Sequence, residues 1–395
     1  MQRIRFGVFI APYHSVNDNP TLSMQRDLEL TELCDRLGYD EAWFGEHHSA
    51  GTETISSPEV FIAAAAQRTR RIRLGSGVSS LPYHHPFMLA DRFVQLDHLS
   101  MGRVMLGVGP GALPGDAHMM GIDVADQRRM MEECLEAIIA LWRYDEPVTR
   151  KTDWFTLNEA RLHLRPFNPA GIEIAVAATF SPSGPRLAGR LGTGLMSIAA
   201  TQAKAFEVLA RHWQTAQEVA AAHGNTVSRE NWRMVGPMHL ARTEKDARAH
   251  VERGLEEWVD YFTKVGAVPI LGDIDTSGDL VDAVNASGVG VIGTPDMAIE
   301  QIRRLERQSG GFGTYLLMAH EWADTPATHA SYELFARYVM PEFQGSTTEL
   351  RRSRDWTIEH RERLIGNVTT ALKAATAQYV AERNERRARE SANPV

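Results

Sequence analysis

The chain has 395 residues, 43% hydrophobic and 23% charged, a composition with ample material for a buried core. Its formal net charge of -8 argues against a nucleic-acid partner held through phosphate contacts. Met1-Gln2-Arg3-Ile4-Arg5 leads straight into a strand with no apolar signal region, and no run is long enough to span a membrane, so a cytoplasmic protein is expected.

Ile4 to Ile10 is mostly apolar, as in a strand buried on both faces. Thr21 to Leu37 reads as a helix closed by Gly38, and Tyr39 to Phe44 as a second strand that stops at Glu46-His47-His48. Ser57-Pro58-Glu59 opens the next helix. The third strand, Ile72 to Leu81, is rich in small residues at Gly75, Ser76, Gly77, Ser79 and Ser80. Strands normally gain from large side chains, so this run predicts either a flat group lying against the strand or a tight barrel corner.

Pro86 to Leu99 is a helix, Arg103 to Val108 a fourth strand and Asp126 to Trp142 an amphipathic helix, while Trp154 to Pro166 reads as a hairpin-like excursion. Cys34 and Cys134 lie inside helical patterns and read as reduced core residues. The alternation resumes with strand Glu173 to Ala178, helix Pro185 to Leu191, strand Gly194 to Ala199, helix Gln202 to His223, strand Arg233 to Ala241 and a helix from Glu244 to Phe262. Residues 263–290 show no sustained period and read as a long loop of the kind that serves as a lid. A helix from Thr294, a strand from Gly313 to Ala319 and a helix from Ser331 to Phe343 follow.

Eight strands, each followed by a helix, predict an α/β protein: a single (β/α)8 TIM barrel over residues 1–345, with an open doubly wound sheet as the rival. Residues 346–395 form a C-terminal helical extension. Its single apolar stripe, Leu364, Val368, Leu372, Ala375 and Tyr379, requires cover from the barrel or from a second subunit.

In such a barrel the chemistry sits at the carboxyl ends of the strands. His47-His48 and His84-His85 both fall there. Their spacing matches no helical metal site, which leaves a general base or hydrogen-bond donor as the functional reading, and capping of strand ends as the structural one, better suited to His48 and His84. Gly107-Val108-Gly109-Pro110-Gly111-Ala112 matches the dinucleotide fingerprint literally, but Leu113 to Gly121 reads as loop where that fingerprint needs a helix. Thr179 to Pro185, with its hydroxyls and glycine before a helix, is an anion site or an ordinary N-cap, and Arg129 is a candidate partner for the same anion.

Glu46-His47-His48, Leu81-Pro82 with His85-Pro86, Gly102-Arg103 and Ile292-Gly293-Thr294-Pro295, in this order, resemble the bacterial luciferase-like flavin-dependent monooxygenase family, nearest its limonene monooxygenase branch. The resemblance covers roughly Arg3 to Phe343. It implies a barrel that binds reduced flavin at its carboxyl-end mouth, FMN or FAD, with His47 as the active-site histidine. Ser76, Gly77 and Val78 would lie beside the isoalloxazine, with a cis bond between Gly77 and Val78. Arg129, Thr179, Ser181, Ser183 and Gly184 would hold the phosphate; Pro110 stands where luciferase has a second arginine of that region. By the same resemblance, flavin reduced by a separate reductase reacts with O2 to give a C4a-hydroperoxide that passes one oxygen atom to a small hydrophobic substrate. His47 would hydrogen-bond or deprotonate the peroxide, residues 263–290 would exclude water, and the protein would be a homodimer or higher homo-oligomer. F420-dependent hydride transfer, a flavin-binding protein without turnover and, last, a metal-dependent hydrolase are the alternatives.

Overall fold

Apolar runs that alternate with helical patterns become strands of one parallel sheet. The computed structural model describes residues 3–11, 13–143, 146–266 and 278–392. In it β1 (Arg5–Ile10), β2 (Glu41–Phe44), β3 (Arg73–Ser80), β4 (Val104–Gly109), β5 (Glu173–Ala178), β6 (Gly194–Ser197), β7 (Trp232–Leu240) and β8 (Thr314–Met318) pair in that order. Arg5 lies opposite Thr314 and Phe9 opposite Met318, so β8 closes on β1 and the sheet is an eight-stranded barrel. Closure rules out the open doubly wound sheet.

The strand period of two divides the core into two layers. Phe6, Val8, Ile10, Ala42 and Phe44 point outward into the helices, while Phe9, Trp43, Met105, Met196, Val235 and Leu316 fill the barrel. Turns between the layers use specific residues: the helix Pro20–Leu37 starts at Asn19, whose side chain accepts from the Thr21 and Leu22 N–H groups, and ends at Gly38 in a left-handed conformation at φ 86°.

The small residues of β3 have a packing cause. A Cβ on Gly75 would lie 2.4 Å from the Trp43 indole, and one on Gly77 would lie 2.9 Å from both Phe9 and Trp43. The flat group against Gly75 is therefore the protein's own indole.

The amino ends of the strands carry charge inward. Glu41 and Arg233 are both fully buried, with Arg233 Nε donating to Glu41 at 2.7 Å and Nη2 to Glu173 at 2.6 Å. Arg73 donates to the other oxygen of Glu173 at 2.6 Å, and the Trp43 N–H donates to Glu41 at 2.9 Å beneath the Arg233 guanidinium. Burial alone would raise the Glu41 and Glu173 carboxyls, but the guanidinium charges hold both down, Glu173 at about 2. This network plugs the floor of the barrel, opposite the end where chemistry occurs.

Several elements differ from expectation. The 154–166 excursion is an antiparallel hairpin that starts earlier, pairing Val148–Lys151 with Thr156–Ala160. The helix expected from Glu244 to Phe262 is two, Glu244–Val251 and Gly254–Lys264, because the chain turns to bring Gly254 against the Glu321–Trp322 backbone, where a Cβ would sit 2.1 Å from the Glu321 carbonyl. Within the expected 263–290 loop, Asp279 caps a helix, Leu280–Ser287; residues 267–277 of that loop lie outside the described residues. Leu113 to Gly121 is not all loop, since Pro114 starts the short helix Pro114–Met119.

By its contacts the chain divides into two units, Met1–Gln344 and Gly345–Val395. In the second, the expected single helix is two, Thr348–Glu359 and Arg361–Ala392, interrupted at His360, whose ring stacks on Trp356 and bonds its carbonyl. Among the described residues no helix is long and apolar enough to cross a membrane.

Candidate active site

At the carboxyl end of β2 the chain turns outward and delivers three consecutive polar side chains, all tied down. Glu46 is buried and acts as a hub: one oxygen accepts from the Ser80 N–H at 2.6 Å, the other from His48 Nε2 at 3.0 Å and His84 Nε2 at 2.8 Å. Its charge is stabilised accordingly, for although burial raises its carboxyl, the two histidines and the N–H bring it below the usual range. Thus His48 and His84 fasten the ends of β2 and β3 together.

His47 faces a different pair of acids. Its Nε2 lies 2.8 Å from Glu53 Oε2 and its Nδ1 3.6 Å from Asp116 Oδ2. Burial would lower the imidazole pKa, yet the Glu53 charge and Asp116 outweigh it and push the ring up to about 10. A ring pushed up in this way favours the imidazolium, which disfavours its use as a general base. Glu53, Asp116 and Tyr261, whose hydroxyl donates to Glu53 at 2.6 Å, carry no signal in the sequence that marks them for this site. Asp116 stands on the short helix Pro114–Met119 and also accepts from the His48 N–H at 3.2 Å and from the Ser49 hydroxyl.

The neighbouring strand end is β3. The Gly77–Val78 peptide bond is cis, at the point where the register with β4 shifts between Ser76 and Ser79. The Ser76 hydroxyl donates to the Gly107 carbonyl at 2.9 Å, whereas Ser79 Oγ has no partner although buried. The Thr52, Thr54 and His47 Nδ1 polar atoms and Glu53 Oε2 are likewise buried without a completed hydrogen bond. Buried polar groups are nearly always satisfied, so five such atoms on this stretch of the barrel are unusual. Phe9, Tyr13, Trp258, Tyr261 and Trp322 form the apolar cover beside it. Trp43 and Phe44 are fully buried core, Phe9 packs with Trp43 in the barrel's inner layer, and the Tyr83 hydroxyl accepts from Gln127 at 3.1 Å.

The expected anion residues separate. Ser181 and Ser183 come together, their hydroxyls 2.7 Å apart at the start of the helix Ser183–Leu191. They line a cleft of about 510 Å³ with Arg128, Arg186 and Arg190. Thr179 sits in the bend just after β5, and a Cβ on Gly184 would lie 2.4 Å from the Ala177 carbonyl, so that glycine serves the close approach of helix to strand. Arg129 is not in this cleft: it is exposed and held by Asp153 at 2.9 Å, Asp126 and Glu133. One helical step, about 100° of rotation, turns Arg128 toward the serines and Arg129 away.

Two further histidines near the mouth behave oppositely to His47. Burial, with neighbouring histidines, lowers His239 to about 3, and burial lowers His320 to about 4. Folded, both stay neutral where the unfolded chain binds protons, so stability should fall by roughly a few kcal/mol as pH drops from 6.5 toward 4. The His47 contribution is complete below pH 6.5 and is lost as pH rises through about 10. Thermal unfolding followed across this range should show a maximum near neutrality, and a midpoint that climbs steadily into acid would contradict these assignments.

The profile of the family described as Luciferase-like monooxygenase matches residues 4–312. The chain is 48% identical over 385 residues to Limonene 1,2-monooxygenase of Rhodococcus erythropolis, covering 96% of this chain and 97% of that one. It is 46% identical to 4-hydroxyprotoasukamycin monooxygenase of Streptomyces nodosus subsp. asukaensis, covering 91% and 97%. Among solved structures, the oxygenating constituent of 3,6-diketocamphane monooxygenase of Pseudomonas putida, a type II Baeyer-Villiger monooxygenase in complex with FMN, superimposes with a TM-score of 0.72 at 27% identity, over 86% of this chain and 98% of that one. An F420-dependent secondary alcohol dehydrogenase shares the fold at a TM-score of 0.65 and 19% identity, over 86% and 98%. A barrel whose strand ends carry this histidine rim, matched over nearly its whole length by named monooxygenases, belongs to the luciferase-like monooxygenase family and is a monooxygenase.

Proposed function

We propose that this chain is the oxygenase component of a two-component system that uses reduced FMN, supplied by a separate flavin reductase, to insert one atom of O2 into a small hydrophobic organic substrate. The observation that carries the reading is the rim itself: His47 held between Glu53 and Asp116 just past β2, the strand that pairs with β3, among buried polar atoms that lack partners. When bound, the reduced flavin supplies the electrons that activate O2. The chain's own residues do the rest. Ser76, Gly77, Val78 and the unpartnered Ser79 hydroxyl offer a narrow, small-residue edge for a planar ring, and His47 places a proton donor beside it. Phe9, Tyr13, Tyr261 and Trp322 present apolar surface to a hydrophobic substrate and exclude water. We assign the barrel as one domain over residues 1–345, with 346–395 as a C-terminal helical extension, and the protein as a homodimer or higher homo-oligomer. Cys34 and Cys134 are free and buried, in keeping with a cytoplasmic setting.

The phosphate would sit at Ser181 and Ser183, with Thr179 and Gly184 shaping the turn and Arg128 and Arg186 supplying charge. Anaerobic titration tests both parts. Reduced FMN should bind and F420 should not compete. Arg128→Ala should weaken reduced FMN by about tenfold, the value of one charge-assisted contact, while Arg129→Ala leaves affinity unchanged. Tight binding of F420 with none of reduced FMN would refute the proposal.

A further inference from the structure

The two nitrogens of His47 are not equivalent. Nε2 is in ion-pair contact with Glu53 Oε2 at 2.8 Å, whereas the buried Nδ1 lies 3.6 Å from Asp116 Oδ2, and neither contact has the geometry of a completed hydrogen bond. Neither acid is free to turn away. Glu53 is fixed through its other oxygen by the Tyr261 hydroxyl at 2.6 Å, and Asp116 by Ser49 and the His48 N–H. Three separate elements converge here: the loop after β2, the helix Pro114–Met119 and the helix Gly254–Lys264. The remaining charged group of the rim, Glu46, is occupied by His48, His84 and Ser80 and sets no competing demand on His47.

We propose that Glu53 and Asp116 are positioning residues that keep His47 doubly protonated, one carboxylate facing each ring nitrogen. His47 then works as an acid and not as a base. The inference deepens the functional reading above and rests on its placement of the reaction at His47. A neutral ring would leave a lone pair facing one carboxylate or the other. Only the cation turns an N–H toward both carboxylates. Tyr261 acts one step back, by aiming Glu53.

The test is the protonation of His47 followed by 15N NMR on the full-length, flavin-free protein. In the wild type both ring nitrogens should carry protons at pH 7 and remain so beyond pH 8. Glu53→Gln should lower the titration midpoint by about 1–3 units, and Glu53→Asp should restore most of that shift. With reduced FMN supplied, Glu53→Gln should bind the coenzyme as the wild type does, yet form product about 100-fold more slowly, with its pH profile displaced to the acid side. A singly protonated wild-type ring at pH 7, or equal midpoints in wild type and Glu53→Gln, overturns the inference. Should Glu53→Gln fail to fold, the wild-type titration decides alone. Absence of reduced-FMN binding would instead strike the functional reading, while the NMR midpoints would still decide what Glu53 and Asp116 do to the ring.

Discussion

Arg233→Ala should destabilise the protein by about 3–5 kcal/mol, one of the largest losses available to a single substitution. The guanidinium is fully buried in the barrel floor between Glu41 and Glu173 and lies 4.8 Å from the centre of the Trp43 ring. Removing it strands the fully buried Glu41, whose carboxylate is kept ionised chiefly by that charge. The cost comes from the abandoned acid more than from lost attraction, so a double variant, Arg233→Met with Glu41→Gln, should recover much of the stability. Urea unfolding of the two proteins checks this. Equal stability of Arg233→Ala and wild type would mean that water reaches the floor.

His47→Ala should leave reduced-FMN affinity largely intact and cut coupled oxygenation by about 10²–10⁴-fold, the range typical of a lost proton-transfer group. Removal of the ring also leaves Glu53 and Asp116 facing each other with no cation between them, so the variant should bind anions at the rim less well while its barrel remains folded. Anaerobic titration and product yield, measured on the same preparation, separate the two effects. Full product yield from His47→Ala would remove the residue from the chemistry. A parallel fall in affinity and yield would make it a binding residue.

The alternation of apolar runs and amphipathic helices carries the barrel, because strand and helix periods are local properties of the chain. The eight strands lie close to where their apolar runs lie in the sequence, and His47 is placed at the rim by nothing more than its position just after β2. The Glu46 hub is half legible: the neighbouring polar residues suggest capping of strand ends by His48 and His84, which is what the hydrogen bonds show. What long-range pairing decides is not legible. Glu53, Asp116 and Tyr261 come from loops and helices 6, 69 and 214 residues beyond His47, and no spacing rule joins such positions. Arg129 shows the finer limit. Adjacent arginines in one helix differ only in which side of it they occupy, and the acids that capture Arg129, Asp153 above all, lie on a hairpin whose docking the local pattern does not specify. The small residues of β3 do signal a flat neighbour, but the sequence does not say which, and the packed Trp43 indole explains Gly75 without any ligand.

The placement of the coenzyme is the claim on which the chemistry depends, and a crystal structure of the protein soaked with FMN tests it most directly. The isoalloxazine should lie against Ser76, Gly77 and Val78 with the His47 ring beside its edge, and the phosphate should sit between Ser181, Ser183 and Arg128. A ring system bound away from β3, with His47 still enclosed by Glu53 and Asp116 and touching no ligand, would contradict the account.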